Sequence, residues 1–410
     1  MRIAIFSDCY LDLTGGIVSS INAQKKALER LGHEVFIFST GYPRRSSELK
    51  ELAKQNIYMV PSCKLFFYKL TPVSRRPGII ERWLMRCFPE LREFDIFYIH
   101  YEAGCSIAAL RLGHKLGIPT VQVMHGREDM GETHIIPFGF RSIVAFFLNG
   151  FHSLYLPHRL EVRRDNYLAS SYAKAKMWSL MVNHANYADL VLTPSKHFRE
   201  KLIHYGVTQE IKVFPNGYPD AKFPEDPKVK KLEKGEELRI IWHSRVSAEK
   251  RILPFLRALS KVDKKYQLDV YGGGGDYFKA KSYVGSHNLN VVFHGNADFD
   301  EVQDKIARSH LDVLASYNFD TFGMTLIEAE AAGVPVFFCD PDMMEIVPKG
   351  SFIMSTHESP DSMAAALNDL LEYPARIQKM SEVMLKHRNE VLISKRIKIL
   401  ERIFSDIIKK

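Results

Sequence analysis

The sequence predicts an α/β chain of two Rossmann-like domains, each a doubly wound parallel sheet. Three observations predict it. Apolar runs of strand length alternate with helical patterns from the first residues onward. A second alternating series begins at Leu238. Between the two, Pro215, Asn216, Gly217, Pro219, Pro224 and Pro227 fall close together ahead of a charged tract, as a linker would.

The elements run in order. Ile3 to Phe6 is a buried strand, followed by Asp8 and a turn at Leu13-Thr-Gly-Gly16. A helix carries Ile17, Ile21, Leu28 and Leu31 and stops at Gly32, and Val35 to Phe38 is the next strand. Ile96–Ile99, Thr120–Met124 and Leu190–Thr193 read as further strands. Helices are expected over Ile107–Leu116, Trp178–Tyr187 and Phe198–Tyr205. In the second series, strands are expected at Leu238–Trp242, Leu268–Tyr271, Val291–Phe293, Val313–Ala315 and Val334–Phe338, with a helix over Leu326–Ala332. The domains are therefore 1–215 and 237–385, joined by a linker over 216–236. A C-terminal helix over 386–410 has the option of packing back on the first domain.

Composition narrows the class. The 410 residues include 46% hydrophobic ones, enough for two cores. No run reaches the roughly 18–20 apolar residues of a membrane-spanning helix. The best, Ile143 to Leu156, is interrupted by Asn149, Gly150 and His152. The short apolar run at the N-terminus lacks a signal-peptide pattern, so a cytoplasmic protein is expected. The five cysteines show no C-x-x-C spacing and read as reduced thiols. The net charge is +8, and residues 1–215 hold 28 Lys/Arg against 19 Asp/Glu, so the whole excess lies in the first half. Such asymmetry suits an anionic surface or ligand. No nucleic-acid module accompanies it.

In open parallel sheets, ligands bind beyond the C-terminal ends of the strands. The segments there in the second half are Arg245 and Lys250, the run Gly272–Gly275 including Gly273, His294-Gly295, and the loop from Asn318 into Glu328. Arg245 and Lys250 can neutralise a diphosphate leaving group, or they can be solvated charges. Gly323 stands at a helix start whose free amides suit phosphate oxygens. Glu328 can accept two hydrogen bonds from a vicinal diol such as a ribose. In the first half, Gly15-Gly16 precedes a helix, and His125 ends a strand, where it can meet a sugar hydroxyl or serve only the core. Walker, zinc-peptidase and serine-hydrolase motifs are absent, as is zinc-ligand spacing, and no metal site is expected.

Together these segments resemble family 4 of the retaining glycosyltransferases, which have the GT-B architecture. The most specific stretch is Phe319-Asp-Thr-Phe-Gly-Met-Thr-Leu-Ile-Glu-Ala-Glu-Ala-Ala-Gly-Val-Pro-Val336. It is similar to the family's acidic pair, here Asp320 and Glu328, followed by its Glu-Ala-x-Ala-x-Gly-x-Pro-Val signature. Asp320 stands where the family usually has Glu. Gly15-Gly16, Thr193-Pro-Ser195, Pro215-Asn-Gly217, Arg245 and Lys250 also match. The resemblance implies a UDP-sugar donor with its diphosphate on Arg245, Lys250 and Gly16, and its ribose on Glu328. The backbone of Gly323, Met324, Thr325 and Leu326 would lie against sugar and phosphate, and Gly273, Gly295, Asn296 and Ala297 near the nucleoside. Asp320 and, from the first domain, His125 would contact the sugar. It implies no metal and no cofactor beyond the donor.

Within the family the chain is similar to bacterial enzymes that glucosylate diacylglycerol, through Thr193–Gly206, Thr133–Pro137 and Phe338–Asp342. That implies a lipid acceptor and peripheral attachment to the inner face of the cell membrane. Residues 64–92 fit this. They hold seven cations, including Lys64, Lys69, Arg75, Arg76, Arg82 and Arg86, against two acids, with Trp83 and other aromatics between them. A soluble or polyprenyl-linked saccharide is the alternative acceptor, and an inactive partner scaffold the alternative role.

Overall fold

The computed structural model describes residues 1–9, 16–41, 45–64, 72–129 and 138–409. Two compact units emerge, 1–215 with 396–410, and 216–395.

The first unit carries β1 (Arg2–Ser7), β2 (Glu34–Ser39), β3 (Ile57–Met59), a small antiparallel pair β4 (Ser62–Lys64) and β5 (Pro72–Ser74), then β6 (Ile96–His100), β7 (Thr120–Val123), β8 (Leu190–Thr193) and β9 (Ile211–Val213). Seven of them form one parallel sheet in the order β3-β2-β1-β6-β7-β8-β9. Ile3, Ala4, Ile5 and Phe6 are all fully buried, as a parallel strand covered on both faces requires. The edge strands β3 and β9 are three residues long and too short to show a periodicity, so the sequence did not reveal them.

Local chemistry sets the helix boundaries. Asp8, just past β1, reaches the start of the helix Gly104–Leu116. Its carboxylate accepts from the backbone N–H of Cys105 at 2.9 Å and Ser106 at 3.0 Å, and from Ser106 Oγ at 2.7 Å. A carboxylate there satisfies orphan amides and complements the helix dipole. The same helix ends on Gly117 at φ 70°, a left-handed cap that favours glycine. Ser195 caps Lys196–His204 by accepting from Phe198 N–H at 3.3 Å.

The second unit carries β10 (Leu238–His243), β11 (Tyr266–Tyr271), β12 (Val291–Gly295), β13 (Leu311–Leu314), β14 (Val336–Phe338) and β15 (Phe352–Met354), all parallel, in the order β12-β11-β10-β13-β14-β15. Trp242, Phe255, Leu268 and Phe337 centre its core. The strand order reverses between β10 and β13, the position at which such sheets open a crevice. The last helix, Ile393–Ile408, carries the chain back into the first unit, where Phe404 is fully buried and its ring stands edge-on to Tyr98 at 5.1 Å.

Candidate active site

The segments just past β10 and β13 meet at this reversal. Beyond β10, a single 3₁₀ turn, Ala248–Lys250, aims Lys250 across the sheet. Lys250 Nζ lies 2.6 Å from Asp320 Oδ1, with both side chains mostly buried. Ser316 donates to the other Asp320 oxygen, and the Lys250 ammonium stands 5.2 Å from the Phe319 ring centre. Arg245 is different. Glu249 holds one side of its guanidinium at 3.1 Å, while the Arg245 side chain remains 62% exposed.

Beyond β13, Gly323 at φ 72° starts the helix Met324–Ala331. A Cβ there would come within 2.9 Å of Leu314, so both backbone and space select glycine. The first amides of this helix have no acceptor one turn back. Leu326 N–H bonds to Gly323 O at 3.0 Å and its side chain is buried, which leaves the earlier amides, those of Gly323, Met324 and Thr325, at the terminus. The Thr325 hydroxyl is buried beside them, with no hydrogen-bond partner among the described residues.

Glu328 sits one turn further on, and its orientation comes from a residue the motif did not include. His243, the last residue of β10, contacts Glu328 Oε2 through Nδ1 at 3.2 Å and Asp312 Oδ2 through Nε2 at 2.6 Å. Burial alone would lower the imidazole, but Asp312 and then Glu328 override it and push it up to about 10. The ring is therefore a cation at neutral pH and donates from both nitrogens. The signal for this was an acid inside an apolar strand, Leu-Asp312-Val-Leu, which a buried sheet tolerates only with a partner.

The glycine run serves backbone packing. A Cβ on Gly272, at φ 126°, would stand 2.3 Å from Ser244 O, and one on Gly274, at φ 155°, 2.3 Å from Val246 O. The run thus lets the loop after β11 press against the loop after β10, where Val246 N–H donates to Gly273 O at 2.9 Å. Gly273 also borders Asn296, and Gly272 N–H donates to Gly295 O at 2.6 Å, so the Gly295–Ala297 turn is drawn to the same edge. Tyr271 and His294 stack there at 4.3 Å, nearly parallel, as a flat aromatic surface.

In the first unit, His125 is buried, and its Nε2 lies 2.6 Å from His100 Nδ1. Burial pushes His125 down to about 4 and holds His100 well below its ordinary value, so both rings are neutral. Glu102, between them in sequence, is buried, and among the described residues one of its oxygens has no hydrogen-bond partner. Burial first, then Glu128 and Asp8, raise it well above the carboxylate range. Neither His100 nor Glu102 was singled out from the sequence, although both lie at the sheet mouth, His100 as the last residue of β6 and Glu102 just past it. Gly16 opens the helix Gly16–Arg30 and is exposed, while Gly15 and Thr133–Pro137 lie outside the described residues.

The basic segment divides. Arg75, Arg76, Arg82 and Arg86 are exposed on and before the helix Pro77–Cys87. Trp83, expected to face outward, packs edge-on against Phe88 at 5.4 Å and onto the first core, because Ile80 and Leu84 turn that side of the helix inward. Lys64 ends β4, and Lys69 lies outside the described residues. A groove of about 600 Å³ beside Gly117, Pro119, Asp189 and Asp406 opens at the N-terminal ends of β7 and β8, the edge opposite to His125, and takes no part in this site.

Residues 14–222 match Glycosyltransferase Family 4, and residues 224–386 match Glycosyl transferases group 1. The chain is 27% identical over 359 residues to an alpha-monoglucosyldiacylglycerol synthase of Streptococcus pneumoniae, covering 82% of this chain and 70% of that protein. It is 23% identical to the enzyme of the same name from Acholeplasma laidlawii, covering 84% and 82%. Among solved structures, sucrose-phosphate synthase from Thermosynechococcus elongatus superposes with a TM-score of 0.69 at 14% identity over the full length of both chains. Anabaena HepE in complex with UDP-glucose gives 0.64 at 15% identity, covering 99% of this chain and 100% of the other. The chain belongs to glycosyltransferase family 4 and is a nucleotide-sugar-dependent transferase of GT-B fold.

Proposed function

We propose that the chain moves glucose, with retention, from UDP-glucose to a lipid acceptor such as diacylglycerol or a glycosyl-diacylglycerol at a membrane surface. The observation that carries the donor half is the set of anion-seeking polar groups beyond β10 and β13. Lys250, exposed Arg245 and the first amides of Met324–Ala331 stand ready for anionic oxygens. The acceptor half rests on the two relatives named alpha-monoglucosyldiacylglycerol synthase.

Each residue then has a task. Arg245, Lys250 and the helix amides would stabilise the charge that grows on the departing diphosphate, so no metal is required. As Lys250 turns to phosphate, Asp320 would be released to a sugar hydroxyl. Glu328, fixed by the His243 cation, would hold the ribose diol. From the first unit, Gly16 would approach the diphosphate, and neutral His125 would meet the sugar as a hydrogen-bond group rather than as a cation. The nucleoside would lie along Gly273 and Gly295–Ala297. The departing phosphate oxygen would accept the proton of the attacking hydroxyl, so no dedicated protein base is needed. The exposed arginines Arg75, Arg76, Arg82 and Arg86 would draw the protein to anionic lipid.

A second reading keeps the chemistry and changes the acceptor to a saccharide. It is favoured by 30% identity over 167 residues to a lipopolysaccharide 1,6-galactosyltransferase of Escherichia coli, a match covering 38% of this chain. One experiment separates them. Purified protein is given a panel of UDP-sugars with diacylglycerol in detergent micelles or with oligosaccharide primers, and products are identified by mass spectrometry. Glucosyl-diacylglycerol from UDP-glucose is expected. Product on the primers alone would replace the lipid reading.

A further inference from the structure

The helix Arg141–Ser153 presents an apolar stripe that the described residues leave uncovered. Phe140, Ile143, Phe147, Phe151 and Leu154 recur at helical spacing along one side, with Phe146 beside them. All are exposed, Phe147 at 67% and Leu154 at 76%. Only a thin opposite side is buried, where Ala145 and Leu148 meet Ala173, Met177 and Leu180 of the helix Tyr172–Ala185. A monomer in water rarely keeps so many large apolar side chains together without a partner.

We propose that this helix is the element that enters the surface of an anionic bilayer. The inference deepens the lipid-acceptor reading and rests on it. Charge selects the occupant. No acidic residue occurs from 138 to 160, and residues 141–176 hold six Lys/Arg against two Asp/Glu. Of those two acids, Glu161 pairs with Lys176, and Asp165 accepts from Tyr205 OH at 2.7 Å. Arg159, Arg163 and Arg164 are exposed just beyond the helix. A second copy of this chain would bring the same cations face to face, whereas anionic headgroups complement them.

The helix also adjoins the basic segment. Arg111 binds Glu81 of Pro77–Cys87 at 2.5 Å and donates to Tyr155 O, just past the apolar stripe, at 2.9 Å. One arginine thus ties the arginine-bearing helix to the aromatic one. The base of the stripe is fixed as well. His152 bonds His184 at 3.0 Å, and His184 bonds Gln122 of β7 at 3.0 Å, three residues before His125. At 13 residues the helix is about 20 Å long, short of the roughly 30 Å hydrocarbon core, so it lies in the interface and does not span it.

The test separates docking from transfer. Wild type and the double variant Phe147→Ser, Leu154→Ser are sedimented with vesicles of phosphatidylglycerol and phosphatidylcholine. Both are also assayed on diacylglycerol in detergent micelles. The expected result is a vesicle partition coefficient lowered roughly tenfold, about 1.4 kcal/mol, with micellar transfer within about twofold of wild type. Unchanged partitioning would overturn the proposal, as would a wild-type dimer that the variant converts to monomer. Failure of both proteins to glucosylate micellar diacylglycerol would sink the acceptor reading instead, leaving partitioning to decide the surface. A second variant, Phe147→Trp, guards against misfolding. Its fluorescence should be quenched by brominated lipid in anionic vesicles, and absence of quenching counts against insertion.

Discussion

The mouths of the two sheets use histidine in opposite ways. At the end of β10, two carboxylates close on His243 and make it a buried cation. At the ends of β6 and β7, His100 and His125 face each other, and burial keeps both neutral. Each ring ends or adjoins a buried parallel strand, so the strand does not decide the protonation state. What decides it is whether an acid from another strand arrives close enough to outweigh burial. The second mouth thereby fixes an anion, Glu328, in one orientation. The first keeps two neutral imidazoles as hydrogen-bonding groups, beside a buried Glu102 carboxyl that burial and its acidic neighbours raise above the carboxylate range.

The largest test of this contrast is pH. His243 is raised from its unfolded value near 6.5 to about 10, so its contribution is complete below about pH 6.5 and is lost as pH rises through 10. His100, His125 and His184 are lowered, so theirs is complete above about pH 6.5 and is lost as pH falls toward 4 and below. Protection against hydrogen exchange, taken relative to the intrinsic rate at each pH, should therefore fall in Leu238–His243 on the alkaline side and in Thr120–Val123 on the acid side. Both peptides loosening on the same side would break the comparison.

Removing the cation comes next. His243→Ala leaves Asp312 buried beside Glu328 with no counter-charge, which should cost the second unit roughly 3–5 kcal/mol in denaturant unfolding. Adding Asp312→Asn should recover much of that loss, and a single variant as stable as wild type would show that the pair is not coupled. Lys250→Ala removes a charge-assisted contact worth about 1.5–3 kcal/mol, so transfer should fall roughly 10- to 100-fold and UDP should bind more weakly by calorimetry. Unaltered UDP affinity would mean the diphosphate lies elsewhere. The smallest effect is expected of Glu328→Gln, about tenfold in turnover, with a melting temperature lowered less than by His243→Ala because Asp312 still faces the buried His243 cation. Near-wild-type turnover would remove Glu328 from the donor site.

Much of the polar cluster in the second unit was legible because its residues lie in the segments that follow strands. Lys250 and Asp320 meet after β10 and β13, and the helix signal from Gly323 onward located Glu328. The partners were harder to see. Asp312 lies 69 residues from His243, and the register of β10 against β13 brings them together. The glycine run read equally as a plain turn or a ligand-facing one, and what the structure adds is that carbonyls of the neighbouring loop require Gly272 and Gly274, since no pattern within four glycines says what presses on them. The membrane-facing expectation placed Trp83 outward, and the structure packs it on Phe88.

By itself, then, the sequence determined two parallel sheets, the break between them, and a polar cluster beyond the second, since strand runs and the residues after them are local signals. The tertiary structure alone decided which histidine carries a charge, which carboxylate that charge holds, and which of two aromatic helices shows its rings to water. Those outcomes depend on neighbours that arrive from dozens of residues away, and burial and charge act on a side chain only through the neighbours it actually meets.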